Sequence, residues 1–173
     1  MAYFKDGAFQ EDIWRRLGEG EELPQEGHII LTLKAWQGWP EQKKTNVAFG
    51  LLLEPGTKIE ALVADLPRLS LVLINFPKFT DGRGYSMARE IRDYYGYKGE
   101  LRATGDILFD QLQYLARCGF DAFEITDPAT LKLLDAGRRP DFGRFYQPAL
   151  GPEAVVDTRP WARRQSSSTK PSS

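Results

Sequence analysis

The sequence contains one cysteine, Cys118, and one histidine, His28, among its 173 residues. A single cysteine excludes an intrachain disulfide and an iron–sulfur cluster held by cysteines of this chain alone. A single histidine argues against a zinc site of the His/Cys type. We therefore expect no metal site. The cofactor stays unknown, and any redox chemistry would need one that is organic, substrate-borne or carried by a partner.

The chain also lacks a long apolar run and a large charge imbalance. No run approaches the roughly 20 residues that cross a bilayer, and residues 1–6 lack the apolar centre of a signal peptide. A formal net charge of −1 and a pI of about 5.9 give no broad attraction to nucleic acid or to an anionic membrane. We expect a cytoplasmic protein without a nucleic-acid or membrane partner.

From residue 47 onward, predicted strands alternate with predicted helices. The strands are residues 47–53, 69–74, 100–104 and 121–126, and the helices are residues 57–64, 84–95, 107–117 and 128–134. Thr57, Asp106 and Asp127 are placed as N-caps, and Gly119 ends a helix in the left-handed conformation. This alternation predicts right-handed βαβ units.

The part before residue 47 is less regular. Residues 3–9 predict a hairpin that turns at Asp6-Gly7. Residues 11–17 predict a short helix, and residues 29–33 a strand. We therefore predict an α/β fold with an open, mostly parallel sheet or a half-barrel of about four βα units, and the small N-terminal hairpin at its margin.

The length and the 42% hydrophobic composition fit one core. We predict a single α/β domain over residues 1–150, with the regular βα units at 47–135, and a C-terminal extension over 151–173. The segment from residue 159 onward has four cations, no acid and a serine-rich end. That composition is typical of a disordered tail.

Ligands of parallel sheets bind outside the carboxyl ends of the strands. The most distinctive loop at that edge is Phe-Pro-Lys-Phe-Thr-Asp-Gly-Arg-Gly-Tyr-Ser, residues 76–86. Its cations, hydroxyls and helix start are suited to an oxyanion. The candidate oxyanion-binding residues are Lys78, Thr80, Arg83, Ser86 and Arg102. Alternatively, these cations pair with Asp81, Asp106 or Glu124 and only hold the loops in place.

The same loop lacks the known nucleotide motifs. Met87 stands where a dinucleotide fingerprint has its third glycine, and the Gly-Lys-Ser/Thr of a P-loop is missing. Gly82 and Gly84 are better explained by a tight turn and a close helix–strand approach. Asp81 is the candidate catalytic base, whereas Asp106 is better explained as a helix cap.

Other reactive or aromatic residues also have structural explanations. Cys118 follows a helix, where the dipole disfavours a thiolate, so we expect an inert thiol. His28 has no evident partner in the sequence. Trp36, Trp39 and Tyr85 form either a docking surface or part of the core.

Three blocks carry a family resemblance: residues 76–86, residues 99–106 (Gly-Glu-Leu-Arg-Ala-Thr-Gly-Asp) and residues 117–124 (Arg-Cys-Gly-Phe-Asp-Ala-Phe-Glu). They resemble a bacterial family of unknown function whose members are labelled oxidoreductases of sulfite reduction, because their genes commonly lie beside that of the sulfite reductase haemoprotein. The resemblance spans roughly residues 3–135. It implies a role in assimilatory sulfite reduction and cysteine biosynthesis, but it supplies no catalytic residues and no cofactor motif.

Three functions remain open. The first is an accessory protein that binds an oxyanion such as sulfite. The second is a non-enzymatic docking or electron-transfer partner of the haemoprotein. The third is a lyase or isomerase with Asp81 or Glu124 as its base.

Overall fold

The computed structural model describes residues 1–18, 20–38 and 46–140. Within them one sheet has eight strands: β1 (Ala2–Lys5), β2 (Ala8–Gln10), β3 (Arg15–Arg16), β4 (Glu26–Thr32), β5 (Asn46–Leu53), β6 (Leu69–Phe76), β7 (Glu100–Gly105) and β8 (Ala122–Ile125). The α-helices are α1 (Leu33–Gln37), α2 (Arg83–Arg89), α3 (Leu112–Arg117) and α4 (Pro128–Asp135). Short 3-10 helices cover Ile59–Leu62, Leu66–Arg68 and Phe109–Gln111, and a π-helical turn covers Glu90–Tyr94.

The strands follow the spatial order β2-β1-β8-β7-β6-β5-β4-β3. From β3 to β8, each strand lies parallel to the next one along the chain. Strand β1 lies antiparallel to both β2 and β8. Each connection from β3 to β8 therefore leads to the next strand in the same direction across the sheet. Because such connections are right-handed, they all lie on the same face of the sheet. The sheet curls into a half-barrel.

The predicted α/β class and the half-barrel are thus confirmed, but the details of the sheet are corrected. The sheet is mixed rather than mostly parallel, and its eight strands exceed the predicted four units. The difference arises before residue 47: the predicted strand at 29–33 overlaps β4 and joins the same sheet, β3 was not predicted, and β1 joins β8 in the antiparallel sense. The predicted extension over residues 151–173 lies outside the described residues. None of the described helices is long and apolar enough to cross a bilayer.

The sheet packs apolar side chains on both faces, because successive residues of a strand point in opposite directions. The larger core takes Val72, Ile74 and Phe76 from β6. The smaller core, on the opposite side, contains Leu71, Leu73 and Ile30, with Trp14 and Leu52 against it. We call this second side the inner face of the sheet.

Residues 11–17 are extended rather than helical, and we call them the strap. Arg15 and Arg16 form β3, and the Leu17 N–H donates to the Ile30 carbonyl at 3.0 Å. Trp14 packs onto Gly50 of the inner face, where an added Cβ would lie 3.2 Å from the indole. The strap places every second side chain on the sheet, which is the period of a strand and not of a helix.

The predicted turns and helix ends have mixed outcomes. The hairpin turn is confirmed, since Asp6 and Gly7 have φ of 52° and 78°. Gly119 has φ of 104°, and the Asp127 carboxylate accepts the Thr130 N–H at 2.7 Å, so both of these ends are also confirmed. The predicted helix after Thr57 is a 3-10 helix that begins at Ile59, and Thr57 donates its hydroxyl to the Glu54 carbonyl instead of capping it.

Candidate functional site

The loop between β6 and α2, residues 77–82, is fixed through its backbone. The Phe79 N–H donates to the Asp106 carboxylate at 3.0 Å, and the Phe79 carbonyl accepts from the Gln111 side chain at 2.6 Å. A third bond joins the Asp81 N–H to the Lys78 carbonyl at 2.9 Å. Asp106 therefore holds this loop and does not cap the helix that follows it, which corrects the prediction.

Arg83, at the start of α2, forms a bidentate ion pair with the carboxylate of Asp81. Its Nε and Nη2 atoms donate to the two Asp81 oxygens at 3.0 and 2.7 Å, and its backbone N–H donates to Oδ1 at 3.1 Å. The side-chain bond from Arg83, followed by the backbone bond, holds the pKa of Asp81 below its ordinary value. The helix start thus already binds one oxyanion, the chain's own Asp81.

Four of the five predicted oxyanion ligands lie on this short segment. Lys78, Thr80, Arg83 and Ser86 are all exposed, and the Arg83 side chain keeps 65% of its surface accessible although it pairs with Asp81. The bidentate grip leaves both N–H groups of the Arg83 Nη1 atom outside that pair. The segment therefore combines exposed cations and hydroxyls with a guanidinium whose orientation is set.

The fifth predicted ligand, Arg102, is somewhere else. It lies on β7, its side chain is 0% exposed, and it faces the inner side of the sheet. Its guanidinium donates to Glu100 at 2.8 Å, to Asp12 at 2.8 Å and to Glu124 at 3.1 Å. The ring of Tyr3 lies 4.1 Å below it. Arg102 is therefore part of a buried ion-pair network and does not join Arg83.

That network includes residues that the sequence did not single out. Its members are Tyr3, Lys5, Asp12, Arg16, Glu100, Arg102, Thr104 and Glu124. Glu124 is 1% exposed and engages both carboxylate oxygens, one with Arg102 and the other with Arg16 at 2.5 Å. A buried carboxylate between two guanidiniums has oppositely charged partners at hydrogen-bond distance. This arrangement explains how the inner face tolerates charge, and it occupies Glu124, one of the carboxylates considered as a base.

Opposing effects act on the ionisation of the network. Burial alone raises the pKa of Glu100, but hydrogen bonds from Lys5 and Arg102 outweigh it, and the pKa lies below the ordinary value. Burial likewise lowers the pKa of Arg102, and hydrogen bonds to Glu100 and Asp12 outweigh it and raise that pKa. Both groups therefore stay charged, as expected for buried ions whose partners are in hydrogen-bond contact.

One sequence signal could have revealed this network. Polar Glu100, Arg102 and Thr104 alternate with apolar Leu101 and Ala103 along β7. In a strand, that period of two places all three polar side chains on one face. The partners on the strap could not be found in the same way, because they lie 88 to 108 positions away in the sequence.

The predicted tryptophan surface is not present at Trp36. That side chain is buried, contacts Phe49 edge-to-face at 5.5 Å and lies under Arg68 at 5.3 Å. Trp39 lies outside the described residues. Tyr85 is half-buried between Phe76 and Tyr114.

The single cysteine and the single histidine are both packed against other parts of the fold. Cys118 is buried and caps the C-terminal end of α3. His28 contacts Trp14 edge-to-face at 5.1 Å on the inner face. Within the described ranges, no group of three His, Cys, Asp or Glu side chains is arranged to hold a metal ion.

A surface groove of about 270 Å³ lies at the opposite edge of the sheet from the β6–α2 loop. It is lined mainly by Val63, Leu66, Pro67, Tyr95, Tyr97 and Lys98. None of the predicted site residues contributes to it.

The fold and these features define a mixed α/β protein with a curled half-barrel sheet, an ion network on its inner face and a fixed cationic loop at its edge. Residues 50–156 match the family described as "Bacterial protein of unknown function (DUF934)". The match covers more than half of the chain, so this protein belongs to that family. A comparison with curated proteins gave no match.

Proposed function

We propose that this protein is a cytoplasmic accessory protein of assimilatory sulfite reduction that binds a small oxyanion on residues 78–86. The observation that carries the binding site is the Arg83 guanidinium, which is exposed, is oriented by its own carboxylate partner and lies on the same loop–helix segment as Lys78 and Thr80. The assignment of the protein to this pathway rests on the resemblance of the three sequence blocks to proteins encoded beside the sulfite reductase haemoprotein. Arg102 is left out of the site because its donors are engaged in buried ion pairs.

The Asp81 carboxylate stands in for the oxyanion in the unliganded protein. It receives two side-chain bonds and one backbone bond from Arg83, the kind of contacts that sulfite or sulfate would receive. An incoming oxyanion therefore competes with Asp81 or uses the remaining Arg83 donors together with Lys78. Charge-assisted bonds of this type contribute roughly 1.5–3 kcal/mol each.

Titration calorimetry with sulfite tests this proposal. Arg83→Ala should weaken binding by about tenfold or more, because it removes charge-assisted bonds. Arg83→Lys should restore only part of the affinity, since a lysine keeps the charge but loses the fork. Asp81→Asn should bind more tightly than the wild type, because the competing charge is gone. Arg138→Ala, an exposed arginine beyond α4, is the matched control. Absence of heat at millimolar sulfite, or equal affinity in Arg83→Ala, would refute the oxyanion site.

A second candidate function is a docking or electron-transfer partner of the sulfite reductase haemoprotein. Two exposed aromatic side chains favour it: Phe79 at 46% and Tyr114 at 49% exposure. Co-purification of the two proteins that is lost at high salt is the expected result. If the protein does not associate with the haemoprotein at micromolar concentration, this function is ruled out.

A further inference from the structure

We propose that the oxyanion bound on residues 78–86 is the phosphate or sulfate group of a sugar ester, and that Glu54 and Asn75 bind neighbouring hydroxyls of its sugar. The inference rests on the oxyanion site proposed above and specifies the class of its ligand. It follows from the loop after β5, which borders Arg83 and adds hydroxyl acceptors beside the oxyanion donors.

The Arg83 guanidinium lies between two loops at the carboxyl edge of the sheet. Asp81, on the loop after β6, accepts from its Nε and Nη2 atoms. Its Nη1 atom faces the loop after β5, where it would lie 3.5 Å from a Cβ built on Gly56. Gly56 has φ of 87°, which disfavours any side chain and leaves the space beside Nη1 open. An oxyanion bound to Nη1 is therefore next to the β5 loop.

Glu54 belongs to that same loop. The Thr57 N–H donates to the Glu54 carbonyl at 3.1 Å and closes a tight turn around Gly56. Because Glu54 stands two residues before Gly56, their Cα atoms are at most roughly 7 Å apart. The Glu54 side chain is exposed, and its carboxylate accepts from the Asn75 amide at 2.9 Å. Among the described residues no cation is bonded to this carboxylate, so it keeps acceptor capacity for a ligand.

Asn75 is fixed from two sides. It lies near the carboxyl end of β6, two residues after Leu73 and therefore on the inner face of the sheet. Its Nδ2 atom donates to Glu54, and its Oδ1 atom would lie 2.7 Å from a Cβ built on Gly105. A side chain at Gly105 would thus displace the amide. Glu54 and Asn75 together present a carboxylate and an amide oxygen, two acceptors at neighbouring strand ends.

The acids at this edge favour an ester over a bare oxyanion. Asp81 and Asp106 are occupied by N–H donors of residues 79–83. Glu54 is bonded only to the Asn75 amide, and its charge repels an oxyanion that brings no donor with it. A hydroxyl supplies that donor. In dinucleotide-binding folds, a phosphate-binding turn is likewise combined with an acid that bonds a ribose hydroxyl. This chain lacks their glycine motif but has the same combination on two adjacent parallel strands.

Titration calorimetry of the full chain with ribose 5-phosphate tests the inference. This ester should bind at least about tenfold more tightly than inorganic phosphate, because its hydroxyls add bonds to Glu54 and Asn75. The 2-deoxy analogue should lose about tenfold, since it leaves an acceptor unpaired. Adenosine 5′-monophosphate has the same phosphate and diol, and the tighter of the two esters shows whether the source is a nucleotide or a simple sugar.

Two results with these ligands would overturn the inference. One is equal affinity for ribose 5-phosphate, its 2-deoxy analogue and inorganic phosphate, which would mean that the hydroxyls are not bound. The other is tighter binding of phosphoethanolamine than of ribose 5-phosphate, which would assign an amine to Glu54.

Variants separate this inference from the oxyanion site itself. Glu54→Gln should weaken ribose 5-phosphate by about tenfold but leave sulfite unchanged or tighter, because a repelling charge is removed. Asn75→Ala should also weaken only the ester. Glu60→Gln is the matched control, since Glu60 is an exposed glutamate that acts on Tyr95. If sulfite binding depends on Arg83 but Glu54→Gln weakens neither ligand, the oxyanion site stands and the sugar ester is wrong. If the ester depends on Glu54 while sulfite gives no heat, the sugar ester stands and sulfite is the wrong anion.

Discussion

At position 102 a fully buried guanidinium donates to three carboxylates. Removal of such a charge leaves the partners buried without compensation, which costs about 3–5 kcal/mol. We therefore expect Arg102→Met to lower the free energy of unfolding by that amount, measured by urea denaturation. Arg138→Met, which removes an exposed arginine, should change it by about 0.5 kcal/mol or less.

The cause of that loss can be isolated with a second substitution. Arg102→Met combined with Glu124→Leu removes a buried charge of each sign, and such apolar replacements are often neutral or stabilising. The double variant should therefore be more stable than Arg102→Met alone. If the two are equally unstable, the effect comes from lost packing around Tyr3 and not from uncompensated charge.

Tyr97 predicts a dependence of stability on alkaline pH. Its hydroxyl is buried and donates to the Leu69 carbonyl at 3.1 Å, and burial raises the pKa of the phenol well above its ordinary value. A folded pKa above the unfolded one means that the stabilisation is present below the unfolded pKa of roughly 10 and is lost as pH rises. The free energy of unfolding should fall from pH 9 to pH 11, and it should fall less in Tyr97→Phe.

The same substitution has a separate cost at neutral pH. Tyr97→Phe leaves the Leu69 carbonyl without its donor, so we expect a loss of about 1 kcal/mol at pH 7. Tyr3, Tyr85 and Tyr95 also have raised pKa values, mainly through burial, and they remain in the variant. An unchanged slope in Tyr97→Phe would therefore assign the alkaline effect to those residues.

Some residue roles could be predicted from the sequence and others could not. Asp127 and Gly119 act within their own helices, so local spacing was sufficient. Asp106 also sits at a loop–helix junction, but its carboxylate bonds to Phe79 in another loop. Arg102 was expected at the rim because it lies near the carboxyl end of a predicted strand, yet its alternation with Leu101 and Ala103 puts it on the inner face. The roles of Asp106 and Arg102 depend on partners that are distant in the sequence, and the spacing of residues gives no information about those partners.

At the scale of elements, α2 approaches β6 closely because Gly84 has no side chain. A Cβ built on Gly84 would lie 2.5 Å from the Phe76 ring, whereas one on Gly82 would meet nothing within 4 Å. Alanine favours a helix by about 1 kcal/mol over glycine, but overpacking costs about 1–3 kcal/mol. Gly84→Ala should therefore lower the free energy of unfolding, and Gly82→Ala should leave it unchanged or raise it slightly. Equal thermal midpoints for the two variants would contradict the close-packing role of Gly84.

The strap shows why one element was predicted as a helix. Ile13, Trp14 and Leu17 have a spacing that also suits one side of a helix, but the structure uses the alternation of Asp12, Trp14 and Arg16. In a short segment both periods fit, and tertiary contacts choose between them. Ile13 is accordingly exposed, while Trp14 packs on the smaller core.

At the scale of the whole molecule, the order of the strands from β5 to β8 could be predicted because each is followed by a helical segment. The closure of the inner face, by contrast, could not be predicted from the sequence. Arg16 belongs to β3 at one end of the sheet order, and it reaches Glu124 on β8, five strands away in that order. Curling of the sheet brings these strands together, and no local pattern encodes that approach.

The Arg16–Glu124 contact should therefore couple the two regions energetically. A double-mutant cycle with Arg16→Met and Glu124→Gln, measured by urea denaturation, should give an interaction energy of about 1–3 kcal/mol, because Glu124 is buried. The control is Arg15 of the same strap with Glu21 just beyond it, an exposed pair 2.7 Å apart. Its cycle with Arg15→Met and Glu21→Gln should give less than about 1 kcal/mol, since water screens both charges. Equal values for the two cycles would mean that burial adds nothing to the Arg16 contact, and that the strap is held by Trp14 and its backbone bonds instead.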